Sequence, residues 1–323
     1  MSKTHERVMI VDGLNMFLRS YIVVPQISKD GHPIGGTTGF LKSLQKLTRE
    51  IRPTKIIVCW DGRGGSRKRK QKNPNYKEGR KPIRLNRSFK ALSEQEEQEN
   101  KIWQMHRTVA YLNNFPVIQL LADEVEADDI ISYVCRYSDY KDNQKVIVSS
   151  DKDFFQLLDD KTVLHRPIQK VFLNRHAIVN EYGIHPNNFA LARAIVGDKS
   201  DNLDGIPGIG LKTVAKRFPF FSKERDIMIN EVVNFCKNQE SDVKAYKIIP
   251  ESVRLIKENY DLMQLYSPTL SIQTKKSIDW TIEKFEHLFN KTETDKMMLQ
   301  DGINELNWSS MIEDFKRIRN NNK

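Results

Sequence analysis

Three apolar runs in this chain stop at a carboxylate, and a fourth leads straight into a cluster of them. Arg7-Val8-Met9-Ile10-Val11 ends in Asp12, Lys55-Ile56-Ile57-Val58-Cys59-Trp60 in Asp61, and Lys145-Val146-Ile147-Val148 in Ser149-Ser150-Asp151-Lys152-Asp153. Pro116-Val117-Ile118-Gln119-Leu120-Leu121 runs on into Val125-Glu126-Ala127-Asp128-Asp129-Ile130-Ile131. A run that is apolar at every position has no face to give to water, so it reads as a strand covered on both sides. Such runs alternating with helical patterns specify an α/β fold with a mostly parallel central sheet flanked by helices. Ligands of such sheets bind beyond the carboxyl ends of the strands, which is where these acids fall.

The stretch at Glu126 is the densest. A helix starting there sets Glu126 and Asp129 at i and i+3 on one face with Asp128 beside them, while Ala127, Ile130, Ile131 and Val134 turn to a core. Three crowded negative charges repel one another unless a cation neutralises them. An all-oxygen donor set suits hard divalent ions, Mg²⁺ or Mn²⁺. Acids at a helix N-terminus also complement its dipole, and an Asp after a strand also caps a helix. Four strand ends delivering acids to one place favour the ion site over those local roles.

Charge then narrows the partner. The 52 Lys and Arg outnumber the 42 Asp and Glu, a formal net charge of +10, so an acid-lined site sits in a basic protein and a polyanion is the expected partner. The basic residues concentrate between Arg63 and Lys90, where 12 Lys or Arg stand against the single acid Glu78. Glycines and prolines run through this segment with almost no apolar pattern. It is expected to stay mobile, or to arch over something, rather than pack. Within it Tyr76, Lys77 and Arg80 set an aromatic among cations, the combination that grips single-stranded nucleic acid by stacking and phosphate contacts. Cys59, Cys135 and Cys236 are odd in number and unclustered, which argues against a disulfide framework or a zinc site and for a reducing compartment. No apolar run approaches the roughly 20 residues of a membrane span, and the first strand begins too early for a signal peptide. A soluble intracellular protein is expected.

Elsewhere the pattern is helical. Phe40, Leu41, Leu44, Leu47 and Ile51 follow one face; Ser93 and Glu96 form a capping box ahead of a helix to about Asn113. Short β-like runs at Thr162–Leu164 and Lys170–Leu173 precede helices over Asn174–Tyr182 and Asn187–Val196. Next comes Gly197-Asp198-Lys199-Ser200-Asp201-Asn202-Leu203-Asp204-Gly205-Ile206-Pro207-Gly208-Ile209-Gly210-Leu211-Lys212-Thr213. Two helices joined by Gly-Ile-Pro-Gly-Ile-Gly make a helix-hairpin-helix, in which Gly205, Gly208 and Gly210 let backbone N–H groups approach a phosphate. Lys212 and Lys216 add charge to the same helix. Asp198 and Asp201, three apart, are placed to turn inward as a second acid group.

Together these motifs resemble the 5′-nuclease (flap endonuclease) family, whose fold is PIN-like, and within it the stand-alone bacteriophage 5′–3′ exonucleases of the phage RNase H type. They are also similar to the 5′-nuclease domain of bacterial DNA polymerase I. The resemblance runs from Asp12 to about Phe218, and no polymerase module follows. It implies a first metal cluster of Asp12, Asp61, Glu126, Asp128 and Asp129 and a second of Asp151, Asp153, Asp198 and Asp201, with none of the nine missing. It implies an arch over 63–92 in which Tyr76, Lys77 and Arg80 meet the substrate, Lys77 and Arg80 joining Asp128 and Asp151 as catalytic residues. Two Mg²⁺ ions, replaceable by Mn²⁺, are implied, with K⁺ held by backbone carbonyls of the hairpin.

The implied organisation is an α/β core over 1–183 and a helical lobe over 184–323 containing the hairpin at 197–218. Helical spacing at Glu251–Tyr266, Asp279–Phe289 and Met311–Ile318 fills that lobe. The implied activity is divalent-metal-dependent 5′–3′ exonuclease and structure-specific 5′-flap endonuclease cleavage of DNA or RNA·DNA, as in primer removal, by a cytoplasmic monomer (host cytoplasm for a phage protein). Single-strand-binding protein and sliding clamp are the replication proteins it points to. Two other readings stay open: a non-catalytic nucleic-acid-binding protein on a degenerate nuclease fold, against which the full acid set argues, and a single-strand ribonuclease on a related sheet, which predicts neither hairpin nor arch.

Overall fold

Successive side chains of a strand leave a sheet on opposite faces, and in β1 (Arg7–Asp12) both sets are buried. Val8 and Ile10 enter one apolar cluster, Met9 and Val11 the other. Each such side chain contributes roughly 1.5–3 kcal/mol when taken from water, which is why the run carries no polar alternation. The computed structural model describes residues 6–81, 83–86, 88–89, 92–286, 288–303 and 308–320.

After β1 come α1 (Gly13–Val23), α2 (Gly35–Ile51), β2 (Lys55–Cys59), α3 (Arg67–Lys72), α4 (Glu94–Leu112), β3 (Ile118–Leu120), α5 (Ala127–Arg136) and β4 (Gln144–Val148). A 3-10 turn at Asp153–Leu157 precedes β5 (Thr162–Arg166) and β6 (Val171–Leu173). The chain continues as α6 (Arg175–Tyr182), α7 (Pro186–Val196), α8 (Leu211–Arg217), α9 (Ile229–Lys237), α10 (Lys244–Glu251), α11 (Val253–Met263), α12 (Ile272–Lys284), α13 (Lys291–Gln300) and α14 (Trp308–Asn320).

The sheet order is β3-β2-β1-β4-β5-β6. Strands β1 to β5 run parallel, and β6 is antiparallel to β5. The order reverses at β1, with β2 on one side and β4 on the other, so the crevice expected at such a switch point opens between Asp12, Asp61 and Asp151. The expected strands are therefore present, and Ser93 and Glu96 form the expected capping box at the start of α4. Ala127, Ile130, Ile131 and Val134 of α5 are buried against Val8, Ile10 and Ile57 on one face of the sheet.

Four expectations are corrected. Part of the basic segment does pack: α3 forms, and Tyr76 is only 3% exposed, against Leu203, Leu262 and Met263. Its cations find carboxylates and Tyr76 finds an apolar niche, a tertiary outcome that composition does not register. The connection between the hairpin helices is longer than Gly205–Gly210, because α7 ends at Val196 and an antiparallel bridge joins Asp198 to Leu203 before the glycine turn leads into α8. The last two helices do not stay with the C-terminal lobe. Met297, Met298, Met311 and Phe315 return to the cluster of α2 and α4, where Phe315 stacks on Phe115 at 5.1 Å and Asp314 pairs with Arg49 at 2.8 Å. Helical spacing at Asp279–Phe289 marks only the second half of α12, which ends at Lys284.

Candidate active site

Each acid is set by a local rule of chain geometry. Asp12 ends β1 and caps α1, its Oδ1 accepting from the Asn15 amide at 3.1 Å and its Oδ2 from Ser149 Oγ at 2.9 Å. Asp61 follows β2 and accepts from the Ala127 amide at 2.9 Å. One loop carboxylate therefore caps the N-terminus of α5, where the helix dipole favours negative charge. That bond swings Asp128, in the first turn of α5, toward the strand ends. Beyond β4, the Ser149 hydroxyl accepts from the Asp151 amide at 3.1 Å, and Asp151 Oδ1 accepts from the Asp153 amide at 2.8 Å.

The electrostatics show which carboxylates face one another. Burial pushes the Asp12 carboxyl up to about 7, and Asp61 and Asp151 add to the rise. Burial raises Asp61 as well. Asp128 is held well above the usual carboxylate range by burial and by the charges of Asp151 and Asp12. Asp153 is pushed up to about 7 by burial, with Asp151, Asp198 and Asp201 raising it further against Arg193. Asp151 thus repels members of both groups and stands between them. Asp153, Asp198 and Asp201 offer carboxylate oxygens that all lie within 4.8 Å of one another, a separation suited to one hard cation. Asp198 is fixed there by its own turn, accepting from the Ser200 amide at 2.8 Å.

Two acids of the expected first cluster are engaged differently. Asp129, one residue beyond Asp128 and so rotated about the helix, lies 3.0 Å from Arg69 Nη1 and accepts from the Thr269 amide at 3.3 Å. The structure does not bring it in among Asp12, Asp61 and Asp128. Glu126 pairs with Arg69, lies 2.7 Å from Lys77 Nζ and accepts from the Tyr76 hydroxyl at 3.4 Å. Burial alone would raise its carboxyl; Arg69 and Lys77 hold it below the usual range.

The basic segment is therefore seated on the site. Arg80 pairs with Asp201, and the Lys77 amide donates to the Asp201 carbonyl at 2.8 Å, with Lys77 in the left-handed region at φ 58°. Lys77 and Arg80, expected to meet the substrate, are paired with the acids here, and Tyr76, sealed beneath them, is not free to stack a base. In the hairpin, Gly208 and Gly210 are open, but a Cβ on Gly205 would fall 1.8 Å from the Val196 carbonyl oxygen. Gly205 serves the close approach of the turn to α7 instead of facing outward. Lys212 and Lys216 are exposed on one face of α8.

Several site residues gave no warning from spacing. Arg193 pairs with Asp198 and lies 3.0 Å from Asp153 Oδ1; a lone cation in the apolar run Phe189–Val196 was its one signal, since a charge there needs a partner. Arg69 is one of many cations in its segment. Ser149 and Asn15 hold Asp12 and the Asp151 loop through short polar bonds that no motif announces.

Comparison with known proteins gives the family. The family profile described as 5′-3′ exonuclease, N-terminal resolvase-like domain, matches residues 7–183. The chain is 31% identical over 249 residues to a 5′-3′ exonuclease of Buchnera aphidicola subsp. Schizaphis graminum, covering 74% of this chain and 81% of that one. It is 30% identical over 262 residues to flap endonuclease Xni of Shewanella sp. strain MR-4, covering 80% and 90%. A crystal structure of the bacteriophage T5 flap endonuclease in a pseudo-enzyme–product complex with DNA and metal ions matches its fold, with a TM-score of 0.64 at 18% identity over 96% of this chain and 99% of that one. A nuclease hydrolase is the class that fold and relatives define. The chain belongs to the 5′-3′ exonuclease and flap endonuclease family.

Proposed function

We propose that the chain is a divalent-metal-dependent 5′–3′ exonuclease and 5′-flap endonuclease that hydrolyses phosphodiesters in DNA and RNA·DNA, including primer removal in the cytoplasm. The observation that carries this is the junction at Asp151, where Asp12, Asp61 and Asp128 meet Asp153, Asp198 and Asp201. Carboxylates crowded at one place, with only oxygen donors among them, make a set that fits hard cations. Asp12, Asp61, Asp128 and Asp151 would hold one Mg²⁺, and Asp153, Asp198 and Asp201 a second, with Mn²⁺ as a substitute. Bound there, two such ions supply an activated water and charge neutralisation at the phosphate.

The remaining steps belong to side chains. Lys77 and Arg80 now partner Glu126 and Asp201. Beside the acids, these two cations would stand close to an incoming phosphate, where a cation helps most as charge develops. The uncrowded backbone at Gly208 and Gly210, with Lys212 and Lys216, would hold duplex backbone. The carbonyls of the Gly205–Gly210 turn are the place for K⁺. Single-strand-binding protein and sliding clamp are the proposed partners.

The test is cleavage of 5′-labelled flap, nicked and single-stranded substrates with and without Mg²⁺. The size of the first labelled product separates release of single nucleotides from flap cutting. No Mg²⁺-dependent product from any substrate would overturn the reading.

A further inference from the structure

Beside the acids, on the α4 side of Asp61, the surface sinks into an apolar hollow of about 490 Å³. Leu14, Met105, Val109 and Leu121 form its walls, Asp61 closes one end, and His106 stands on the rim. We propose that this hollow receives one unpaired nucleobase of the 5′ strand, the base next to the phosphate that reaches the acids. The proposal rests on the nuclease reading above and adds a subsite to it.

Continuity is the first argument. Asp61 is at once a wall of the hollow and a member of the acid group, so a nucleotide whose phosphate lies at the acids brings its base within reach of these walls. Chemistry is the second. A base has two apolar faces and a polar edge, and the hollow pairs apolar walls with a polar rim. Leu121, at 59% exposure, would be unremarkable alone, but it lines the hollow together with Met105 and Val109 and so adds to an apolar surface open to solvent. The volume falls in the range of roughly 300–1,000 Å³ that holds a small organic ligand. A paired and stacked base offers no free face to such walls, so the occupant is unpaired.

Preorganisation is the third. The hollow is floored by Trp60, whose ring stacks on Phe40 at 5.8 Å and whose Nε1 donates to Gln119 Oε1 at 2.9 Å. Behind it Gly13 packs so closely that a Cβ there would lie 2.7 Å from the indole. The floor is fixed before any ligand arrives, which reduces the ordering cost of binding.

The test changes the substrate first, so no variant has to fold. Wild-type protein with Mg²⁺ is given flaps carrying a single tetrahydrofuran abasic residue at successive unpaired positions. KM is expected to rise about tenfold at one position and not at the others. Leu121→Ser, at an exposed site, should raise KM for the intact flap by a similar factor and show no further rise when that position is abasic. Losses that add, or a wild-type KM blind to every abasic position, would overturn the proposal and leave the hollow to another occupant, such as an apolar side chain of a partner protein. Absence of Mg²⁺-dependent cleavage on all substrates would instead overturn the nuclease reading beneath it.

Discussion

Arg69 Nη1 lies 3.0 Å from Asp129 Oδ2, and the same guanidinium pairs with Glu126 while its Nε donates to the Leu262 carbonyl at 3.0 Å. One arginine therefore ties α3 to the start of α5 and to the end of α11. Removing it leaves two carboxylates, both nearly buried, without their main counter-charge. Arg69→Gln should lower stability by about 3 kcal/mol in EDTA, the usual scale for breaking a buried pair. Denaturant midpoints of both proteins in EDTA measure it; equal midpoints would mean that water already serves these carboxylates.

The repulsion around Asp128 gives a prediction of opposite sign. Asp128→Asn removes one of several carboxylates that raise one another, so without divalent ions its Tm should rise by about 2–4 °C. With Mg²⁺, turnover on a flap should fall at least about a hundredfold for Asp128→Asn and for Asp151→Asn, with KM nearly unchanged. Turnover close to wild type in either variant would remove these two residues from the reacting centre.

Lys212 and Lys216 stand on one exposed face of α8, beside the open glycines. If that face meets duplex backbone, Lys212→Ala and Lys216→Ala should weaken binding equally on unrelated sequences. Each should also flatten the dependence of log K on log salt by about one unit per lost phosphate contact. Fluorescence anisotropy over a salt series reads both. A loss that depends on sequence would point to base contacts instead.

His185 sets a pH limit on the lobe. Its side chain is the N-cap of α7, with Nδ1 accepting from the Asn187 amide at 3.3 Å, so the imidazole must be neutral there. Burial lowers its pKa below the ordinary 6.5. The unfolded chain then binds the proton more readily than the folded one. This contribution is complete above pH 6.5 and is lost progressively as pH falls from 6.5 through the lower folded value. His185→Asn keeps a capping oxygen without the titration. Its stability should decline less than that of wild type between pH 7 and 5, as followed by thermal melts; parallel declines would assign the acid sensitivity elsewhere.

The strands were legible because burial on both faces of a parallel sheet leaves a continuous apolar run, as at Val8–Val11 and Ile56–Cys59. The acids were legible as a set because each ends such a run. Direction was not: Asp128 and Asp129 are adjacent in sequence, yet one turns to Asp12 and the other to Arg69, a choice made by the Asp61 cap on α5 and by where α3 settles. The basic segment misled for a related reason. Its composition forbids an apolar core but says nothing of carboxylates waiting 50 to 121 residues away, such as Glu126 for Tyr76 and Asp201 for Arg80. The return of α13 and α14 to α2 depends on the fit of Phe315 against Phe115, which periodicity within either helix does not encode.

The place of β1 at the middle of the sheet bears on how the protein is made. One edge of β1 pairs with β2, but the other waits for β4, whose Gln144 lies 137 residues beyond Arg7. At 5–20 residues per second, a ribosome takes on the order of ten seconds to supply that partner. Through this interval an apolar strand has an open edge able to pair with any other extended chain. Contacts this distant in sequence also slow the final closure. Slower growth, cooler expression or a holding chaperone should therefore raise the soluble yield of the full chain, and a fragment ended before Gln144 should aggregate.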